Sequence, residues 1–135
     1  MPELAALIAT ASLGAMLFFS AFIAPTVFRA LPKEHAGNFL RALFPKYFVV
    51  NGIAAVMAGL IAADVIISPV LVAAGVAMLA IHYFAIPIIN DARDQMMAGV
   101  TGADKKFALW HRVSVIINVI EMVFLAMAIY ILLAR

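Results

Sequence analysis

The sequence predicts an all-α integral membrane protein: a bundle of four helices crossing the bilayer, with a short interfacial helix in the first cytoplasmic loop. Three observations predict it. Hydrophobic residues make up 67% of the chain and charged residues 12%, against about 45–50% and about 25% in an ordinary soluble domain. Four apolar stretches approach or exceed the roughly 20 residues that cross a hydrocarbon core. The basic residues are gathered in two of the connections between those stretches, as in proteins oriented by the positive-inside rule.

The first span is expected over residues 4–28, which hold no charged side chain. Glu3 stands where a signal peptide would carry a basic leader, and the run is too long for a signal, so the helix reads as retained. Residues 29–46 form a polar connection in which Phe39, Leu40, Leu43 and Phe44 recur at helical spacing opposite Asn38 and Arg41. A short helix lying in the membrane interface satisfies that pattern. Pro45 suits the first turn of a second span over 45–63, where its missing N–H costs nothing. Asp64 to Pro69 reads as a tight turn, and a third span follows over 69–90, bent or ended by Pro87. The charged segment 91–106, with its two glycines, reads as a loop before a fourth span over 107–134. The whole chain, 1–135, forms a single membrane domain, and no internal repeat is visible.

Charge placement gives an orientation. The first and third connections hold Arg29, Lys33, Arg41, Lys46, Arg93, Lys105 and Lys106, with Arg112 just inside the last helix; Arg135 alone lies on the other side. Both connections are therefore expected in the cytoplasm and both termini outside it. The absence of cysteine removes disulfides, thiolate metal sites and cysteine nucleophiles. No basic cluster is dense enough for nucleic acid, and there is no phosphate-binding glycine loop, His-Glu-x-x-His pair or nucleophile elbow. The methionines are scattered as packing residues would be, Met96-Met97 being the one adjacent pair.

Polar groups within a span are costly unless partnered, so they mark candidate sites. His111, Ser114, Asn118 and Glu121 are spaced three, four and three apart, within roughly 80° of one another on a helix. That stripe must face the bundle interior, because lipid satisfies none of those groups. At a rise of about 1.5 Å per residue, Asn51, Ser20 and His82 bring polar groups from the other three helices to depths of about 8–12 Å. Glu121 lies near the midplane, level with Gly14, Gly59 and Gly75, which leave space around a carboxyl whose neutral form desolvation favours. Such Asn and Ser residues also serve as interhelical hydrogen bonds worth about 1 kcal/mol each.

Four stretches carry a family resemblance. They are Phe22-x-x-Pro25-x-x-Phe28, Leu43-Phe44-Pro45-Lys46-Tyr47-Phe48, Asn90-Asp91-x-Arg93-Asp94, and Phe107-x-x-x-His111-x-x-Ser114-x-x-x-Asn118. Over almost its whole length the chain resembles small bacterial four-helix membrane proteins of unknown function, related to the eukaryotic transmembrane protein implicated in cisplatin resistance. The resemblance implies metal handling only by way of those eukaryotic relatives. It adds weight to His111, Ser114 and Asn118 as a unit, while His82 and Glu121 lie outside its motifs.

Three functions from different classes follow as expectations. The first is binding or transport of a small cation or metal through the polar interior. His82, His111 and Glu121 would then coordinate the metal or exchange protons, with Ser20, Asn51, Ser114 and Asn118 as hydrogen-bonding support. The second is a haem- or quinone-binding redox protein with His82 and His111 as axial ligands. The third is a structural subunit of a larger membrane complex. No catalytic residue is identified, and an enzyme is the less expected outcome. The partners expected are the lipid bilayer and further copies of the chain or a membrane complex, in a bacterial inner membrane.

Overall fold

A computed structural model of the chain describes residues 1–134; Arg135, the one basic residue expected on the far side, lies outside the described residues. Among those described there are four helices long and apolar enough to cross a membrane: α1 (Pro2–Ala30), α2 (Lys33–Ala62), α3 (Ile67–Met97) and α4 (Ala103–Leu133). They contain no strand. Helices of 29–31 residues are about 45 Å long, against a hydrocarbon core of about 30 Å. Their charged ends therefore reach past the hydrocarbon.

The helices run longer on the side of the 31–32 and 98–102 connections, called here the basic face, than sequence spacing suggested. The segment expected as a separate interfacial helix is instead the first three turns of α2, with Pro45 inside an unbroken helix. Its apolar stripe continues the stripe of the span, so packing carries the helix through the proline. In the same way α3 runs through Asp91–Asp94 to Met97, and only residues 98–102 remain as a loop. Gly99 and Gly102, at φ of 77° and 82°, supply the left-handed backbone of that turn.

Pro87 neither ends nor interrupts α3. The helix widens into a π-turn at Ile81–Ala85, where the Ile86 N–H bonds the Ile81 carbonyl one residue further back than in an α-helix. α1 does the same at Phe19–Ile23, ending two residues before Pro25. A proline ring collides with the carbonyl four residues earlier, and the wider turn is a standard way to relieve it. The two turns are in register: Phe22-x-x-Pro25 matches Phe84-x-x-Pro87, and Ser20 and His82 occupy the same slot. This local repeat is too short to stand out from sequence alone.

The bundle is up-down-up-down, each helix packing on its chain neighbours and α4 closing against α1. Away from the basic face the core is made of small side chains, including Ala5, Ala9, Ala55, Ala58 and Ala128. α2 and α3 approach most closely. A Cβ at Gly75 would stand 2.5 Å from the Gly52 carbonyl oxygen, and one at Gly59 would stand 2.8 Å from that of Ser68. Gly59 and Gly75 thus serve a helix–helix seam rather than a space around Glu121, while Gly14 faces nothing within 4 Å. Toward the basic face the core is aromatic: Phe19, Phe44, Tyr47 and Phe48 form a cluster with ring centroids 4.7–6.4 Å apart.

Candidate functional site: a lateral cavity between the first and last helices

The π-turn divides α1. Its Pro2–Phe18 part packs along α4, whereas Ala24–Ala30 packs on α2 without comparable packing against α4. A cavity of about 260 Å³ fills the space so opened. Its walls are Phe19, Ser20, Ala24 and Phe28 of α1, Phe44, Tyr47 and Phe48 of α2, and His111, Ser114, Val115, Asn118 and Val119 of α4. Phe28, Val115 and Val119 at its rim are 60, 46 and 51% exposed, so it opens sideways, where the bilayer would lie.

Four of the residues expected at a site meet here: Ser20, His111, Ser114 and Asn118. Tyr47, which sequence reasoning passed over, joins them from α2. Its phenol crosses the bundle diagonally and donates to Asn118 Oδ1 at 2.8 Å. Ser20 is a second polar neighbour of the phenol, and the Glu121 carboxyl acts on it from further off. Tyr47 lies four residues before Asn51 on one helical face, a spacing that does mark it in the sequence. With Asn118 Oδ1 occupied by the phenol, its amide N–H groups are the donors left for the cavity. The Ser114 hydroxyl is spent locally, donating to the His111 carbonyl at 2.7 Å. The His111 ring stacks on Phe107 at 5.7 Å, 4° from parallel.

The remaining expected residues lie elsewhere. Asn51 is buried behind the cavity, its Oδ1 accepting from the Ser12 hydroxyl at 2.8 Å and its amide donating to the Tyr47 carbonyl at 2.8 Å. Its partner on α1 is Ser12, about two helical turns deeper than Ser20, because α2 begins earlier than the sequence estimate of depth assumed. His82 lines a separate open cleft with Arg41, Asn90 and Asp94, and its Nδ1 is buried without a hydrogen-bond partner. Glu121 is 3% exposed in the core and lines neither space; both carboxyl oxygens are unpartnered.

The metal set expected from the sequence is therefore corrected. Among the described residues no three His, Asp or Glu side chains gather to hold a metal ion, and His82, His111 and Glu121 occupy three different places. The spacing of His111 and Glu121 put them on one stripe, but their ten-residue separation is about 15 Å along the axis. The same division separates His82 from His111 as paired haem ligands.

Comparison with known families matches residues 7–98 to the family described as a domain of unknown function (DUF4149), which takes in most of α1, all of α2 and α3, and ends before α4. No curated protein and no solved structure matches.

Proposed function

This chain belongs to the DUF4149 family, and from that premise and the cavity geometry we propose that it binds an amphiphilic molecule drawn sideways from the bilayer. The observation that supports this reading is the cavity itself, apolar on most sides and open between α1 and α4, with His111 and Asn118 on one wall. Sites for small molecules are mostly apolar with a few placed polar groups. A lipid-soluble body with a carbonyl or hydroxyl near its head matches that lining. A bare cation does not, since the cavity has no carboxylate, and hard cations need oxygen ligands in number.

The expected wider setting belongs to the same proposal. The motif resemblance favours a bacterial inner-membrane protein akin to the relatives of the cisplatin-resistance protein. The basic residues favour an orientation with the basic face in the cytoplasm.

The test is retention of a neutral single-chain amphiphile, a monoacylglycerol, by the detergent-purified protein, counted by native mass spectrometry. Val119→Trp fills the cavity from its rim and should abolish retention while leaving the melting temperature unchanged or raised. Asn118→Leu removes one hydrogen bond of about 1 kcal/mol and should weaken retention about fivefold. Undiminished retention by the folded Val119→Trp protein would remove the cavity from consideration.

A further inference from the structure

The lateral cavity does not end at His111. A second cavity of about 320 Å³ continues it toward the basic face, and Phe28, Leu40, Phe44 and His111 line both. The two cavities are neighbours with those four residues as their common wall, one reaching the bilayer flank and the other the charged helix ends.

The rim of this mouth carries Lys33, Arg41 and Arg93 against the single carboxylate of Glu34. Arg41 is neutralised from outside the cavity by a two-pronged bond to Asp94, at 2.6 and 3.0 Å. Arg93 has no such partner. Its guanidinium lies directly on the α2 backbone at Gly37, where any side chain would displace it. It is held there by neutral acceptors only, Asn38 Oδ1 at 3.3 Å and the Glu34 carbonyl at 3.4 Å. Among the described residues neither Arg93 nor Lys33 forms a salt bridge. A half-buried guanidinium held by neutral acceptors, with the Asp94 carboxylate acting on it only at longer range, suits a phosphate, whose oxygens match the planar fork of arginine.

We propose that this mouth binds the phosphate of an anionic phospholipid, whose acyl chain passes between Phe28 and His111 into the lateral cavity. The inference rests on the amphiphile reading above and specifies its ligand. Lys33 and Arg93 hold the headgroup, His111 and the Asn118 amide meet the ester region, and the chain leaves toward the bilayer past Val115 and Val119. A free phosphate would use the two cations but leave the apolar passage empty.

The experiment compares phosphatidylglycerol with phosphatidylcholine of the same chains, titrated onto the detergent-purified protein and counted by native mass spectrometry. Each cation near anionic lipid favours it about fivefold, so the wild type should retain phosphatidylglycerol on the order of twentyfold better. Lys33→Gln with Arg93→Gln should bring the two lipids to parity. Lys46→Gln with Lys105→Gln removes an equal charge on the same face outside the mouth and should leave the preference intact. If the double variant fails to fold, Lys33→Glu, at a side chain that forms no salt bridge among the described residues, should lower the preference at least fivefold. Equal retention of both lipids by the wild type overturns the headgroup site and leaves the amphiphile reading standing. So does an equal loss in the Lys46→Gln, Lys105→Gln control, or displacement of phosphatidylglycerol by millimolar inorganic phosphate. Retention of neither lipid overturns both.

Discussion

Tyr47 and Glu121 show how differently two polar side chains fare in the same bundle. The Tyr47 phenol is 9% exposed and bonded across the diagonal, so it ties α2 to α4, which do not otherwise pack on each other. Tyr47→Phe keeps the ring and removes that tie. The expected loss is about 1 kcal/mol of stability, with the cavity wall loosened, read as a lower melting temperature in detergent. Glu121 is as deeply buried and has no partner for either oxygen. A buried polar group without a hydrogen bond costs stability, so Glu121→Met should raise the melting temperature by a few degrees. A lowered melting temperature would mean that the carboxyl has a structural partner in the protein as it exists in the membrane.

Among the elements, the seam between α2 and α3 and the divided α1 decide the shape of the site. The seam depends on Gly52, Gly59 and Gly75. Gly75→Ala puts a methyl against the Gly52 carbonyl oxygen and should cost roughly 1–3 kcal/mol, the usual penalty for overpacking. Gly14→Ala meets open space and should be neutral or stabilising; comparing the two by thermal unfolding separates close packing from helix propensity. The turn before α3 has its own fixture. Asp64 Oδ1 accepts the N–H groups of Ile66 and Ile67 at 2.9 and 2.8 Å, an Asx turn whose loss in Asp64→Ala should cost about 1 kcal/mol.

At the scale of the whole molecule, the proposed orientation, with the basic face in the cytoplasm, is checked by labelling. The chain has no cysteine, so single cysteines report cleanly. One at Thr101, exposed in the basic-face loop, should resist an impermeant thiol reagent in intact cells. One at Val65, 92% exposed at the opposite end, should react. The reverse pattern would place the phosphate-binding mouth in the outer leaflet and change which lipids reach it. Salt offers a second whole-molecule check: anionic-lipid preference should weaken as ionic strength rises, because exposed charges are screened beyond about 10 Å at 0.1 M.

The sequence by itself determined the class of molecule and the number of its helices, because burying backbone in lipid leaves few alternatives and apolar length is read directly. It also determined the His111–Ser114–Asn118 face, since three residues on one helix have a fixed geometry whatever surrounds them. Only the tertiary structure decided which groups on different helices meet. Helix rotation and axial offset follow from packing, so Asn51 found Ser12, Asn118 found Tyr47, and Gly59 and Gly75 closed a seam. The cavity is likewise tertiary. It exists because a π-turn before Pro25 lets the end of α1 part from α4, and neither the turn nor the gap has a pattern of hydrophobicity to announce it. His82, His111 and Glu121 looked like one site when reduced to depths along four cylinders; the packing of those cylinders put them in three.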